Sequence, residues 1–74
     1  MNALRAFHAA AGAESFTRAA ERLSTSTSSI SRYIAMLESE LGVALFDRTA
    51  SGVRLSPTGK AYFERVSISL DQIR

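Results

Sequence analysis

Leu4, Phe7 and Ala11 recur at spacings of three and four within an alanine-rich stretch, the stripe of a first helix running from about Asn2 to Ala11 and ending near Gly12. Ser15 then stands where a capping hydroxyl belongs, ahead of Phe16, Ala19, Ala20 and Leu23, whose spacing predicts a second, short helix. Its two alanines allow another helix backbone to approach closely. The hydroxyl-rich run from Ser24 to Ser29 does not prolong that helix, because short Ser and Thr side chains compete for backbone hydrogen bonds; a tight turn is expected around Ser24 and Thr25. From Thr27 a third helix follows, with Ile30, Ile34, Leu37 and Leu41 on one face and Gly42 as its stop. The opposite face gathers Ser28, Arg32 and Ala35, with Thr27 and Ser31 at its edge, and is polar and basic.

After Gly42 the period changes. Val43, Leu45 and Phe46 are apolar, and the run from Arg48 to Leu55 alternates around a Ser-Gly turn, which reads as a small hairpin over about residues 46–55. Ser56-Pro57 is a helix start, a capping hydroxyl before a proline whose missing N–H costs nothing at the first helical position. Along this fourth helix Gly59, Phe63, Val66, Leu70 and Ile73 fall at spacings of four, three, four and three, the seam of a coiled coil. A partner helix is implied, with Phe63, Val66, Leu70 and Ile73 as dimerisation residues and Tyr62 packing back onto its own domain. The seam is still running at Arg74, which suggests an excerpt of a longer protein.

A chain of 74 residues holds one core. The absence of cysteine removes disulfides, thiolate metal sites and thiol nucleophiles. No apolar run is long enough to cross a bilayer, so a soluble, cytoplasmic protein is expected. The net charge of +2 is mild, but eight of the nine cations are arginines, so their placement carries more information than their sum.

That placement points to nucleic acid. A helix that enters the major groove needs an N-terminal turn free of bulky apolar groups, with side chains that donate to base edges and phosphates. Thr27, Ser28, Ser31 and Arg32 meet that demand, and a cap at Ser26 or Thr27 leaves backbone N–H groups facing outward. Thr17, Arg18 and Arg22 on the second helix are placed to follow the flanking backbone, and Arg48, Thr49 and Arg54 to serve from the hairpin. Glu38 and Glu40 lie at the far end of the third helix, remote from that turn; Glu21 and Asp47 are nearer and are expected to pair with arginines.

These residues resemble the N-terminal domain of LysR-type transcriptional regulators across nearly the whole chain. The resemblance lies in Leu4 and Phe7, in SFTRAAERL from Ser15 to Leu23, in Ser31-Arg32, Ile34 and Leu37-Glu38, in LGVALFDRT from Leu41 to Thr49, and in Leu55-Ser56 with Gly59. It implies a mainly α fold, a winged helix-turn-helix with a three-helix core, a small β-hairpin wing and a long C-terminal linker helix. Residues 1–57 would form the DNA-binding domain and residues 58–74 the start of the linker and dimerisation helix. It further implies that the third helix, about residues 27–40, reads the major groove of operator DNA. The fourth helix would pair two chains into a homodimer, the full-length protein would be a tetramer on the bacterial nucleoid, and a small-molecule effector would act only through a C-terminal domain absent from these residues. One departure stands out: where the family commonly has Gln-Pro-Ala, this chain has Thr27-Ser28-Ser29, so a base contact made by that glutamine does not transfer.

Two other readings compete: another winged-helix regulator family, and a winged-helix protein-interaction module, against which Arg32 and the hydroxyls argue. No nucleophile–base pair, metal-ligand cluster or phosphate-binding glycine loop can be assembled, so neither an enzyme nor a cofactor is expected. His8, the lone histidine, is read as a partly buried helix residue.

Overall fold

Hydroxyls at positions 15, 26 and 56 cap three helices in the computed structural model, which describes residues 3–50 and 52–73, with side chains as far as Ile68. Ser15 Oγ accepts from the Arg18 N–H at 3.1 Å, Ser26 Oγ from the Ser29 N–H at 3.1 Å, and Ser56 Oγ from the Gly59 N–H at 2.9 Å. Each satisfies a backbone donor that the first helical turn leaves without a partner. The elements run α1 (Ala3–Ala13), α2 (Phe16–Arg22), α3 (Thr27–Leu41), β1 (Phe46–Thr49), β2 (Gly52–Leu55) and α4 (Pro57–Ile73). Asn2, the expected first residue of α1, lies outside the described residues.

Helix ends show where the sequence reading needs correcting. Gly12 does not stop α1, which continues to Ala13; the left-handed position falls on Glu14, φ 48°. The Ser15 N–H then reaches back to Ala10 O and the Glu14 N–H to Ala11 O, each at 3.3 Å, closing the last turn. Ser24, φ 56°, repeats this device at the end of α2, with the Thr25 N–H on Ala20 O at 2.9 Å and the Ser24 N–H on Glu21 O at 3.3 Å. This is the tight turn expected at Ser24 and Thr25. Only α3 ends as glycine predicts, with Gly42 at φ 70°. A side chain in the left-handed region costs about 1–2 kcal/mol, so the corners at Glu14 and Ser24 hold strain that Gly42 avoids.

α1 is the hub, packed against α2, α3 and α4. Its buried residues are Ala6, Phe7, Ala10 and Ala11, whereas Leu4, placed on the stripe by its spacing, is 39% exposed. In an alanine-rich helix the buried face follows where neighbouring helices can come closest, and Ala6 and Ala10 offer that approach. Ala19 and Ala20 of α2 are likewise buried, as expected of a close-packing pair. On α3, Ile30, Ile34 and Leu37 are buried but Leu41 is 42% exposed, because the last turn runs past its neighbours. Phe7 sits at the aromatic centre, edge-to-face with Phe46, Tyr62 and Phe63 at centroid distances of 5.7, 5.2 and 6.4 Å.

Packing runs across positions 57 and 58, where the linker helix is expected to begin. Val66 is buried in the core of its own chain, and Tyr62 and Phe63 pack against it. His8 joins the same contact, stacked on Phe63 at 5.1 Å, with its Nε2 3.1 Å from Ser67 Oγ. Phe63 and Val66, expected on a dimer seam, thus also pack within their own chain, where α4 meets α1, and Phe63 stays half-buried there. The seam period alone does not distinguish a helix of the same chain from one of another. Leu70 and Ile73, the other two expected dimerisation residues, have side chains outside the described residues.

Where the hairpin leaves the core, three residues fix it. Glu38 Oε2 accepts the N–H groups of Leu45 at 2.7 Å and Phe46 at 3.2 Å. Ser56 donates its hydroxyl to Ala44 O at 2.7 Å, and its N–H to Leu45 O at 3.0 Å. Gly59 lies so close to this strand that a Cβ there would collide with the Leu45 carbonyl. The register pairs Phe46 with Leu55, Asp47 with Arg54, Arg48 with Val53 and Thr49 with Gly52. Gly52, φ 138°, is therefore the first residue of the returning strand rather than part of the turn.

Candidate nucleic-acid interface

The apolar face of α3 is turned inward by Ile30, Ile34 and Leu37, so its opposite face is presented to solvent by the same packing. Thr27, Ser28 and Arg32 are exposed there, and Ser31 is half-buried at the edge. Arg32 is the only cation on α3 and the only side chain of its exposed N-terminal half long enough to reach beyond the hydroxyls. A guanidinium carries five donors in a planar fork, suited to a guanine edge or a phosphate.

The hydroxyls at the start of α3 are not equivalent. Ser26 is occupied as the cap, and its Oγ also lies 2.9 Å from Ser29 Oγ and 3.3 Å from Ser28 Oγ. Thr27 stands outward of that network, and Ser28, though exposed, touches it through its hydroxyl. The short chains leave the N-terminal turn of α3 sterically open, the condition for backbone N–H groups to approach an anion.

Thr17, Arg18 and Arg22 on α2 are all exposed. Arg18, Glu21 and Arg22 border one shallow depression. Thr17 instead joins Glu14, Ser15, Phe16, Gly52 and Val53 around a groove of about 320 Å³ between the start of α2 and the hairpin. The Glu14 carboxylate accepts the Leu55 N–H across the same junction at 3.4 Å.

The hairpin arginines separate. Asp47, Thr49 and Arg54 share its outer face, Arg54 directly opposite Asp47, while Arg48 lies on the inner face with Phe46, Val53 and Leu55. The Arg48 guanidinium carbon stands 5.5 Å from the centroid of the Phe16 ring. Thr49 closes the hairpin tip by donating its hydroxyl to Gly52 O at 3.0 Å.

Sequence reasoning missed Glu38, set aside as a remote acid although it holds the root of the hairpin. One signal was present: Glu38 follows buried Ile34 by four residues, so it flanks the core face of α3 and does not oppose it. Among the described residues no group of three His, Cys, Asp or Glu is placed to hold a metal ion. No helix among them is long and apolar enough to cross a membrane.

The family described as bacterial regulatory helix-turn-helix protein, lysR family, matches residues 1–60. The transcriptional activator AmpR of Providencia stuartii is 42% identical over 99% of this chain, which spans 25% of that protein. The chain thus covers about a quarter of the length of the curated relatives it matches. Among solved structures, the CbnR DNA-binding domain in complex with DNA superposes with a TM-score of 0.89 at 35% identity, over 96% of this chain and 82% of that one. The BenM DNA-binding domain with catB site 1 DNA gives 0.91 at 34% identity, over 96% and 80%.

Proposed function

The chain belongs to the LysR family of bacterial helix-turn-helix regulators as its winged helix-turn-helix DNA-binding domain, and from that premise we propose how its own residues read an operator. α3 enters the major groove with Thr27, Ser28, Ser31 and Arg32 toward base edges, Arg32 supplying the long-range donor. Thr17, Arg18 and Arg22 follow the phosphates on one side, and Arg48, Thr49 and Arg54 engage the flanking groove from the wing. The observation that carries this reading is the solvent face of α3: a capped, sterically open first turn whose exposed groups are hydroxyls and one arginine, held in place by a buried opposite face.

The active species is a homodimer. The proposed contact is the seam of Phe63, Val66, Leu70 and Ile73, of which Phe63 is half-buried against its own chain. Two copies then present their α3 helices to half-sites whose separation follows from the α4 pairing. The working partner is chromosomal DNA in the cytoplasm, and the activity is binding, with no catalytic step and no cofactor in these residues. Response to a small-molecule effector and assembly to a tetramer are proposed only for a full-length protein with its remaining domain.

The deciding experiment is fluorescence anisotropy on a duplex enriched from a randomised pool and on its shuffled counterpart, across a salt series. Tighter binding to the enriched duplex, with log K falling linearly against log salt, is expected. Equal affinity for both duplexes removes the sequence-specific reading.

A further inference from the structure

Arg48 and Arg54 are both exposed wing arginines, yet the fold treats them differently. Arg54 stands on the outer face of the hairpin. Arg48 stands on the inner face with its guanidinium over Phe16. Phe16 is 8% exposed, and its ring meets Phe46 edge-to-face at 5.2 Å with an interplanar angle of 86°. Phe46 in turn meets Phe7, which is fully buried at the hub of the core. The seat beneath Arg48 is thus continuous with the buried aromatic centre of the core, although Arg48 itself is exposed on a strand of four residues.

A long cationic side chain on such a strand loses considerable rotamer entropy when it fixes on a ligand. The face of an aromatic ring attracts a guanidinium through its quadrupole and consumes none of its N–H donors. Phe16 also opens α2 and borders the groove it shares with Thr17, Gly52 and Val53. A guanidinium held there stands between the helix-turn-helix and the wing, the two elements that approach a duplex.

We infer that Phe16 is a positioning residue for DNA binding: without touching DNA, it holds the Arg48 guanidinium at the junction of α2 and the wing, preorganised for a phosphate. This rests on the DNA-binding reading above and adds to it a division between the wing arginines. Arg48 is held before binding, whereas Arg54 stands on the other face of the hairpin, away from Phe16.

The test is a cycle of Phe16→Leu, Arg48→Ala and the double variant, with Phe16→Tyr as the conservative control, measured by anisotropy on the enriched duplex across a salt series. Phe16→Leu lowers affinity about two- to five-fold, the size of an exposed cation–π contact. It leaves the salt slope unchanged, because Arg48 still reaches its phosphate. Arg48→Ala lowers affinity and flattens the slope by about 0.9, one phosphate contact. In the Arg48→Ala background Phe16→Leu costs nothing further, and Phe16→Tyr retains wild-type affinity. Melting curves fix a temperature at which every variant is folded, and in the free protein the Arg48 Nε–H resonance loses its ring-current shift in Phe16→Leu alone. A Phe16→Leu loss that persists undiminished without Arg48 overturns the inference, as does a Phe16→Tyr variant no better than Phe16→Leu. If the wild type does not discriminate the enriched from the shuffled duplex, the DNA-binding reading falls as well. If it discriminates but Arg48→Ala has no effect, that reading stands and the positioning role is lost.

Discussion

The root of the hairpin and the reading edge of α3 are built on opposite plans. At the root, Glu38 and Ser56 spend their polar atoms on backbone groups of residues 44–46, Gly59 admits no side chain, and Leu45 is fully buried. At the reading edge, Thr27, Ser28 and Arg32 are exposed, and only Ser26 is fully committed, as a cap. Part of the family resemblance, in Leu37-Glu38, in LGVALFDRT and in Leu55-Ser56 with Gly59, lies in and around the root, and part lies on α2 and at Ser31-Arg32. The departure from the family pattern, Thr27-Ser28-Ser29, falls at the reading edge. The frame at the root is therefore held by polar groups whose bonds go to backbone, while Thr27, Ser28 and Arg32 stand at an edge where the core places no demand on their side chains.

Variants at the root test this contrast most severely. Gly59→Ala drives a Cβ into the Leu45 backbone carbonyl, which cannot swing aside as a side-chain tip can. A loss of about 3 kcal/mol is expected in urea unfolding, enough to unfold a marginal small domain. Glu38→Ala follows, since it strands two backbone N–H groups in a half-buried setting, with an expected cost of about 2–3 kcal/mol by the same measurement. Glu38→Gln, which keeps an acceptor oxygen, should recover much of that. Near-wild-type stability for Glu38→Ala would return Glu38 to the solvent-facing acid its position first suggested.

A change at the reading edge should act the other way. Arg32→Ala leaves the urea midpoint unchanged, because Arg32 is exposed and the core face of α3 is untouched. Its affinity for the enriched duplex falls by about 1–2 kcal/mol, and discrimination relaxes at one base position. Uniform weakening across all duplexes, with a flatter salt slope, would reassign Arg32 from base edge to phosphate. An altered midpoint would instead mean that the two regions are not separable.

Much of the frame was legible because local rules decide it. The caps at Ser15 and Ser56, the Gly42 stop, the turn at Ser24 and the change of period after Gly42 each depend on a few consecutive residues. What the sequence hid depends on partners far along the chain. Whether Leu4 or Ala6 faces inward is decided by how closely α2, α3 and α4 approach α1, and alanine spacing is silent on that. The same holds for Phe63 and Val66, whose seam spacing suits α1 as well as a second copy. Arg48 and Arg54 look alike until the register assigns them to opposite faces, and Glu38 looks idle until residues 45 and 46 are brought beneath it.

The smallest expected effect lies on the boundary between the two regions. Ser24 sits in the turn that sets the angle of α3 against α2, is exposed, and holds φ 56°, where its Cβ is crowded. The backbone bonds of that turn, from Ser24 and Thr25 to Glu21 and Ala20, need the conformation and not the side chain. Ser24→Gly relieves the crowding but gives the unfolded chain more freedom, and the two terms oppose each other. A net gain of about 0.5 kcal/mol in unfolding free energy is expected, against no gain for Ser24→Ala, which keeps the Cβ. Duplex affinity should be the same for all three proteins, because the turn geometry that aims α3 is preserved. If Ser24→Gly and Ser24→Ala both weaken DNA binding while stability moves as described, the Ser24 hydroxyl belongs to the reading edge, and the division between frame and reader falls before the α2–α3 turn rather than after it.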